Sequence, residues 1–376
     1  MPLASFRAGD FAVPDLLARK LATGTTISVV LPARDEEATV GGIVRALRTD
    51  LMDRVPLVDE LVVIDSFSTD GTARRAAEAG ATVVPCSRVL PQLPAVPGKG
   101  EALWRSLFAT TGDLLVFLDA DLADAGPHFV TGLLGPLLMA GRAFSKGYYR
   151  RPLITEHGVS PDGGGRVTEL VARPLLNLYW PPLSAFAQPL AGEYAARRDL
   201  LRQLPFPTGY GVEIALLIDL LDRVGIAAMA QVDLGRRTHR HQSTAALGAM
   251  AAEVLGTALR RLDLEPAGRT LRQFRRHGGA VLDHATPVPL VERPPAATVA
   301  AWPAGEPAGG PADGSAGGSI GGLVGEPAGG SIGGLVGEPA GGSIGGLVGG
   351  SAGGSIGGLV GGSAGPAAGL LDGDRS

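Results

Sequence analysis

Short runs of mostly apolar residues recur through the first third of the chain, and each run ends in polar or charged residues. These runs occupy residues 27–31, 61–64, 81–84 and 114–118. An unbroken apolar run of this length predicts a strand that is buried on both faces. Between the runs, apolar residues recur at helical spacing. The pattern therefore predicts strands alternating with helices around a doubly wound, mostly parallel α/β sheet.

Beyond residue 121 the pattern is less regular, but it still predicts strands and helices. A short helix is also expected before the first strand, over residues 1–22. In chain order, the later predictions are a strand over 143–149, an apolar helix over 167–178, a turn into a strand over 188–194, a helix opened by 208–213, a strand over 226–234 and a helical region over 243–277. We therefore expect one folded domain over residues 1–290, with halves at about 25–125 and 126–290.

The C-terminal segment has a different composition, dominated by glycine and proline. The sequence Gly-Gly-Ser-Ile-Gly-Gly-Leu-Val begins at residues 317, 329, 341 and 353, which makes a repeat of twelve residues. Each unit offers too few apolar side chains to offset the entropy of ordering the chain. We expect order to fade from about Pro287 and residues 291–376 to form a disordered tail, with a glycine-rich solenoid as the alternative.

Composition and charge exclude several classes of protein. The formal net charge is −4, which argues against general nucleic-acid binding. Cys86 is the single cysteine of the sequence, so no disulfide can form within the chain, as is typical of the cytoplasm. No run reaches the roughly 20 apolar residues that a membrane-spanning helix needs. We expect a soluble cytoplasmic protein with neither nucleic-acid nor membrane partners.

The clearest candidate chemistry follows the predicted fourth strand. Asp119 and Asp121 stand at its carboxyl end, where open α/β sheets bind their ligands. Two carboxylates at this spacing suit Mg²⁺ or Mn²⁺ together with substrate phosphates. The alternative is that one aspartate caps the following helix while the other is solvated.

Other strand ends also carry polar groups. Asp35 and Glu36 follow the first strand, and Ser66 follows the second. No glycine-rich dinucleotide motif follows the first strand, which argues against NAD and FAD. Lys99 stands at a helix start and could reach a phosphate, although a simple loop lysine is an equal alternative.

Three later segments offer further candidate groups. A glycine-rich loop ends at Arg166, which could grip a phosphate or a carboxylate, or could be an exposed hinge residue. Glu213 falls in the first turn of a helix, where a capping role would also explain it. His239 and His241 lie in a basic loop and could bind a metal or an anion, but isolated histidines are more often structural.

The motifs resemble those of a known family of enzymes. Four of them, in this order, resemble GT-A-type nucleotide-sugar glycosyltransferases: Pro-Ala-x-x-Glu-Glu (32–37), Asp-Ser-x-Ser-x-Asp (65–70), Gly-Lys-Gly-Glu-Ala-Leu-Trp (98–104) and Asp-x-Asp (119–121). The segments 163–176, 188–195 and 209–214 are similar to those of the glucosyl-3-phosphoglycerate synthases. The resemblance covers about residues 25–295 and excludes the repeats.

The resemblance implies a retaining transfer of glucose from UDP-glucose to D-3-phosphoglycerate that depends on Mg²⁺ or Mn²⁺. It implies a GT-A fold with a nucleotide-binding half and an acceptor-binding half, and a homodimer. Asp119, Glu213 and Arg237 would be catalytic. The implied nucleotide-sugar contacts are Pro32, Ala33, Asp35, Glu36, Ser66, Lys99, Asp119, Ala120, Tyr210 and Glu213.

The same resemblance assigns the metal and the acceptor. Asp121 and His239 would bind the cation, and Arg237 would face phosphate. The implied acceptor contacts are Gly165, Arg166, Thr168 and His241. Two positions depart from the family pattern: Ala120 replaces a serine within the Asp-x-Asp, and His241 replaces an asparagine of the acceptor site. The second change bears on acceptor affinity and acceptor identity.

The expected mechanism is front-face attack of the acceptor hydroxyl on the glucose, assisted by the leaving phosphate, because no carboxylate of the motifs stands out as a covalent nucleophile. Three alternatives remain at this stage. One is a related GT-A transferase, for example of the mannosyl-3-phosphoglycerate type. The second is a polyprenyl-phosphate sugar transferase, which lacks a membrane anchor in this sequence. The third is a protein that binds nucleotide sugars without catalysis.

Overall fold

The computed structural model describes most of the chain before the repeats. The described residues all belong to one compact unit, Met1–Asp313. The repeat segment lies outside them, so its disorder and the proposed domain limits stay predictions. The residues described are 2–122, 125–150, 153–155, 158–160, 165–236 and 243–299.

Strands and helices alternate along the chain as the apolar pattern predicts. The strands are β1 (Ala4–Arg7), β2 (Ile27–Ala33), β3 (Glu60–Asp65), β4 (Thr82–Pro85), β5 (Leu114–Phe117), β6 (Phe144–Arg150), β7 (Leu153–Thr155), β8 (Gly158–Ser160), β9 (Tyr194–Arg197), β10 (Phe206–Pro207), β11 (Met229–Arg236), β12 (Thr270–His277), β13 (Ala280–Pro287) and β14 (Glu292–Arg293). The α-helices are α1 (Val13–Thr23), α2 (Val40–Arg48), α3 (Thr72–Glu78), α4 (Lys99–Ala109), α5 (Pro127–Met139), α6 (Arg173–Tyr179), α7 (Arg198–Leu201), α8 (Val212–Val224) and α9 (Thr244–Arg260).

An eight-stranded sheet forms the centre, in the order β1-β11-β6-β9-β5-β2-β3-β4. Strand β9 runs antiparallel to β5 and β6, and the other neighbours are parallel. Successive strands lie side by side from β2 to β4, and the chain then crosses back to place β5 on the other side of β2. Ligands bind at such a reversal, outside the carboxyl ends of the strands. The predicted mostly parallel α/β fold is confirmed.

Alternation of side chains explains why the strands read as unbroken apolar runs. Val30 and Phe117 point into one core cluster, whereas Val29, Leu31 and Val116 point into the cluster on the opposite face. All five side chains are fully buried. A sheet covered on both faces requires apolar residues at every position, so the strand ends are the first places that tolerate charge.

The predicted helix over residues 1–22 is wrong in its first part. Residues 4–7 form β1, which pairs in parallel with β11 so that Phe6 lies opposite Val232. The helix begins only at Val13, with Pro14 in its first turn. A strand of four residues takes its conformation from this distant partner, which no local pattern reveals.

The predicted helical region over residues 243–277 is wrong in its second half. Helix α9 ends at Arg260, and β12 then forms an antiparallel hairpin with β13. Asp263 adopts a left-handed conformation, with φ of 57°, and Pro266 follows three residues later. Both residues oppose continuation of the helix.

The chain also stays packed beyond the point where we expected order to fade. Strand β14 pairs with β10, and Leu290 and Ala296 are buried. The indole nitrogen of Trp104 donates a hydrogen bond to the carbonyl of Pro294 over 2.8 Å. The expectation of fading order from Pro287 is therefore wrong by about a dozen residues. Among the described helices, none is long and apolar enough to cross a membrane.

Candidate active site

Three charged side chains from separate elements meet at the carboxyl edge of the sheet. Lys99 is the first residue of α4, Asp119 follows β5, and Glu213 lies in the first turn of α8. The Lys99 ammonium lies 2.6 Å from Asp119 Oδ1 and 2.8 Å from Glu213 Oε1. We call these three residues the Lys99 triad.

Glycines allow the elements of the triad to approach one another. Gly98 and Gly100 bracket Lys99, and a Cβ on either would collide with the carbonyl of Thr208 or Pro207, just before α8. The Glu101 amide donates a hydrogen bond to the Thr208 carbonyl over 3.0 Å. The start of α4 is therefore fixed against the segment that carries Glu213.

The two carboxylates determine the protonation of Lys99. Burial alone would lower the pKa of Lys99, but Asp119 and Glu213 outweigh burial and hold its pKa well above the ordinary value. Lys99 is thus a permanent cation between two carboxylates. Lys99 is the first residue of α4, so the predicted helix start is confirmed. Its two ion pairs show that it is not an unpaired loop lysine, which was the alternative interpretation.

A tight turn over residues 188–193 covers the triad from the side of β9. Gly192 lies in this turn, and a Cβ there would collide with the Asp119 carboxylate and the Lys99 ammonium. Ala191 and Glu193 beside it are fully buried. The sequence predicted a turn into a strand here and a motif of the family, but no role for Gly192, whose position within Gln-Pro-Leu-Ala-Gly-Glu was the available signal.

Behind this turn lies a buried lysine that the sequence analysis also missed. Lys146, in β6, is 1% exposed and donates a hydrogen bond from Nζ to the Ala191 carbonyl over 2.7 Å. Its ammonium lies 5.4 Å from the centre of the Tyr194 ring. A charged residue within an otherwise buried strand was the available signal.

The loops that follow β2 and β3 are joined by hydrogen bonds. The Asp35 carboxylate accepts a hydrogen bond from the Thr69 amide over 2.7 Å, and the Glu36 amide donates to the Thr72 hydroxyl over 2.7 Å. Ser66 is 5% exposed, and its hydroxyl has no partner in the described part of the chain. A buried hydroxyl in this state is a ready donor or acceptor for a ligand.

The turn after β5 holds the remaining members of the Asp-x-Asp. Ala120 is 3% exposed, and its carbonyl accepts a hydrogen bond from the Thr39 hydroxyl over 2.6 Å. Pro32 and Ala33 end the neighbouring strand, and Ala33 is buried. Asp121 is half-buried at the same edge of the sheet.

Part of the predicted site lies outside the described residues. Arg237, His239 and His241 belong to the segment 237–242, for which no placement is given. Within the described residues, no group of three metal-binding side chains is present. The predicted pairing of Asp121 with His239 therefore stays a prediction.

The predicted acceptor residues lie at the start of a helical segment. Gly165 adopts φ of +80°, which favours glycine, and its carbonyl accepts a hydrogen bond from the Glu169 amide. Arg166 is exposed, whereas Thr168 is buried at the start of the π-helical turn Thr168–Ala172.

Tyr210 lies at the entrance to α8. Its backbone amide donates a hydrogen bond to Glu253 Oε2 of α9 over 2.7 Å, and its side chain is exposed. The flanking Gly209 and Gly211 leave no room for a Cβ beside Glu253 and Thr257. Helix α9 thus fixes the loop that leads into Glu213.

Several known proteins are similar to this chain over most of its length. A model of glycosyl transferase family 2 matches residues 28–142. The glucosyl-3-phosphoglycerate synthase of Mycolicibacterium smegmatis is 49% identical over 296 residues, which cover 78% of this chain and 96% of that protein. The synthase of Mycobacterium tuberculosis is 53% identical over 279 residues, which cover 72% of this chain and 85% of that protein.

Crystal structures extend the comparison to bound ligands. The Mycobacterium tuberculosis synthase in complex with Mn²⁺, UDP and phosphoglyceric acid matches with a TM-score of 0.71 and 49% identity, covering 79% of this chain and 98% of that chain. Another of its structures contains Mg²⁺ and UDP and matches with a TM-score of 0.70, covering 78% of this chain and 98% of that one. These matches confirm the resemblance that the motifs predicted.

Proposed function

This chain belongs to the glucosyl-3-phosphoglycerate synthase family, and we propose that it transfers glucose from UDP-glucose to D-3-phosphoglycerate with retention of the anomeric configuration. The observation that carries this proposal is the Lys99 triad at the carboxyl edge of the sheet. It lies beside the point where the strand order reverses, which is where such folds bind nucleotides. A structure of the Mycobacterium tuberculosis relative contains Mn²⁺, UDP-glucose and phosphoglyceric acid together.

The uridine side of the donor site is assigned to the ends of β2 and β3. Pro32, Ala33, Asp35 and Glu36 would contact uracil and ribose. The Ser66 hydroxyl supports this placement, because it lies buried just after β3 and has no hydrogen-bond partner among the described residues. The bonds between the two loops hold them ready for the nucleotide.

The divalent cation is assigned to Asp121, with His239 as the second ligand. A carboxylate at the edge of a sheet, beside the site of a diphosphate, is a donor set that fits Mg²⁺ or Mn²⁺. When bound, the ion supplies Lewis-acid stabilisation of the departing diphosphate. Arg237 would face the same phosphates.

Asp119 and Glu213 are assigned to the sugar. One ammonium and two carboxylates give the Lys99 triad a net charge of −1. A fixed negative charge stabilises the positive charge that develops on the sugar when its bond to the diphosphate breaks. The ion pairs with Lys99 lower the nucleophilicity of both carboxylates, which favours front-face attack over a covalent intermediate. Trapping of a glucosyl adduct on either carboxylate would contradict this mechanism.

The acceptor is assigned to Gly165, Arg166, Thr168 and His241. Arg166 is exposed, as a group that receives an anionic substrate from solvent should be. It would hold the phosphate or carboxylate of the acceptor so that the hydroxyl lies beside C1 of the glucose. Tyr210, exposed at the entrance to α8, would contact the donor sugar.

We also propose a homodimer, for which the hairpin β12–β13 provides the support. An isolated two-stranded hairpin is marginally stable, yet this one exposes Phe274, Val281 and Leu282. A second copy of the chain would cover this apolar surface. Light scattering of the purified protein tests the assembly, and Phe274→Glu is expected to shift it toward the monomer.

The experiment that tests the function uses purified protein, UDP-glucose, Mg²⁺ or Mn²⁺, and a panel of acceptors. We expect glucosyl-3-phosphoglycerate with retained anomeric configuration, read by NMR, and loss of turnover in Asp121→Ala. GDP-mannose as the better donor, or a polyprenyl phosphate as the better acceptor, would favour the alternative transferases. Undiminished activity of Asp121→Ala would remove the assigned metal role.

A further inference from the structure

Lys146 stands out among the buried cationic side chains of the described structure because its hydrogen-bond partner is a carbonyl, whereas Lys20 and Arg105 each bond to a carboxylate. Its strand lies between β9 and β11, so that Lys146 pairs with Tyr194 on one side and Gln231 on the other. The single hydrogen bond runs to Ala191 over 2.7 Å, and the Tyr194 ring lies close by. A fold needs no ammonium at such a position, because an apolar side chain would pack there without desolvation cost.

The cost of burying this ammonium appears as a lowered pKa. Burial lowers the pKa of Lys146 to about 8, with Lys99 acting in the same direction, while Glu213, Glu193 and Asp119 act against it. Lys146 is therefore still mostly charged at neutral pH. The nearest charges that keep it so include both carboxylates of the Lys99 triad.

The hydrogen bond of Lys146 fixes the turn over residues 188–193. The same turn is held to β6 by the Gly147 amide, which donates to the Glu193 carbonyl over 2.8 Å. The Tyr149 hydroxyl adds a hydrogen bond to Glu193 Oε2 over 2.9 Å. Both of these contacts act at the end of the turn, whereas Lys146 holds its centre through Ala191.

The next residue after Ala191 touches the reacting end of the site. Gly192 is packed so tightly against Asp119 and Lys99 that not even a methyl group fits between them. Any shift of the Ala191 carbonyl therefore moves Gly192 relative to the triad. The path from Lys146 to the catalytic carboxylates is a chain of direct contacts: Lys146, Ala191, Gly192, Asp119.

We propose that Lys146 is a positioning residue for glucosyl transfer, holding the 188–193 turn so that Gly192 fixes the Lys99 triad in its reactive geometry. The proposal deepens the proposed function and rests on it, because the triad is assigned to the donor sugar there. Lys146 itself touches no substrate. It acts through the backbone of the turn, and its charge adds a positive field behind Asp119 and Glu213.

The first test replaces Lys146 by methionine, which keeps the length of the side chain and removes its charge and donors. UDP release from UDP-glucose is measured with 3-phosphoglycerate present. We expect kcat to fall about 10- to 100-fold, as for a small displacement of reacting groups, with the KM for UDP-glucose within about threefold. A kcat within about twofold of the wild type, or a raised KM with intact kcat, would overturn the proposal.

A matched control separates positioning from simple loss of a buried lysine. Lys20 is also buried, is bonded to Asp59 over 2.7 Å, and lies in α1, away from the triad. Lys20→Met should lower the melting temperature and leave kcat per folded molecule unchanged. Lys146→Met should lower kcat without lowering the melting temperature. Parallel behaviour of the two variants would show Lys146 to be structural.

A double-mutant cycle tests the proposed path. Gly192→Ala disturbs the same contact from the other side, so the double variant with Lys146→Met should lose little more kcat than the worse single variant. If the losses of kcat in the two single variants added fully in the double variant, Lys146 would not act on the triad through Gly192.

Two further readouts separate this proposal from the proposed function. UDP release reports departure of the sugar with any acceptor, so wild-type protein that releases UDP without forming glucosyl-3-phosphoglycerate refutes the acceptor assignment alone. A crystal structure of Lys146→Met needs no turnover: we expect a displaced 188–193 turn and a longer distance between Lys99 and Asp119. An unmoved turn would overturn the positioning role.

Discussion

The first turn of helix α4 carries residues of two ionic networks, and these two networks differ in burial and in access to the ligand-binding edge of the sheet. Lys99 belongs to the triad at the edge of the sheet, and Glu101 belongs to a second network inside the protein. Glu101 and its partner Arg105 are fully buried, whereas Lys99 and Asp119 keep 19% and 18% of their side chains exposed. The same turn of helix thus serves both the interior and the site.

Both oxygens of the fully buried Glu101 carboxylate are used in hydrogen bonds within the protein. The Glu101 carboxylate accepts hydrogen bonds from Arg105 over 2.7 Å and from Arg293 over 2.7 and 2.8 Å. Arg105 donates further hydrogen bonds to the carbonyls of Val89, Leu90 and Leu93. This network joins α4, the loop before it and the end of the described chain.

The Lys99 triad instead meets solvent where the strands end. Its three groups come from three elements, and glycines at positions 98, 100 and 192 bring the backbones close enough for them to meet. The comparison teaches that burial of charge alone does not mark a catalytic site. A network whose central carboxylate is fully buried and fully hydrogen-bonded stabilises the fold, while a network that reaches the ligand-binding edge is available for chemistry.

The largest expected effect comes from breaking the enclosed network. Glu101→Gln removes the counter-charge of the fully buried Arg105 and of the partly exposed Arg293, so the free energy of unfolding should fall by about 3–5 kcal/mol. Chemical denaturation measures this loss. The kcat per folded molecule should stay within about twofold of the wild type, because the triad retains its own charges.

The matched control for this variant is Glu78→Gln. Glu78 forms an exposed ion pair with Arg74 on α3, with side chains 50% and 61% exposed. Its loss should change the free energy of unfolding by no more than about 0.5 kcal/mol. Similar losses for Glu101→Gln and Glu78→Gln would remove the distinction between the two environments.

The second effect concerns the Lys99 triad, and we expect it in kcat rather than in the free energy of unfolding. Glu213→Gln removes one negative charge from the triad while Asp119 still pairs with Lys99. We expect kcat to fall by about 10²–10³, equivalent to about 2.7–4 kcal/mol of transition-state stabilisation. The free energy of unfolding should change by less than about 1 kcal/mol. Steady-state kinetics and denaturation, measured on the same preparation, decide whether Glu213 is catalytic or structural.

The sequence predicted the sheet well because burial on both faces leaves a direct signature. Strands β2, β3 and β5 appeared as apolar runs, and their polar ends appeared as candidate ligands. The hairpin β12–β13 escaped prediction because most of its residues are exposed, so neither an alternating pattern nor an apolar run marks it. Strand β1 escaped because its partner β11 is more than 200 residues away.

The site was predictable only where chemistry resides in the side chain. Asp119, Lys99 and Glu213 carry charges at strand or helix ends and could be found by their type and position. Gly192 acts through the absence of a side chain. Lys146 acts from within a buried strand. Their roles depend on contacts between β6, the 188–193 turn and α4, which the chain order does not show.

The smallest expected effect is the contribution of Lys146 to the pH dependence of the free energy of unfolding. Folding lowers the pKa of Lys146 from 10.5 to about 8 because the ammonium is buried. Below pH 8 the lysine is protonated in both the folded and the unfolded chain, so folding carries the full cost of burying the charged ammonium. Between pH 8 and 10.5 the unfolded chain binds the proton more, so this contribution to stability rises with pH. The shift corresponds to at most about 3 kcal/mol.

Comparison of Lys146→Met with the wild type isolates this term, because the other titrating groups cancel. The variant lacks the penalty, and its lost hydrogen bond to Ala191 costs about 1 kcal/mol at every pH. Denaturation from pH 7 to 10.5 should therefore show the variant favoured most below pH 8, with its advantage shrinking steadily toward pH 10.5. A difference between the two proteins that does not change with pH would mean that folding leaves the pKa of Lys146 at its ordinary value, because the folded and unfolded chains would then bind its proton equally. The ammonium would then carry no burial penalty, and its positive charge behind Asp119 and Glu213 would be present over the whole range, which would contradict the cost assigned to burying it.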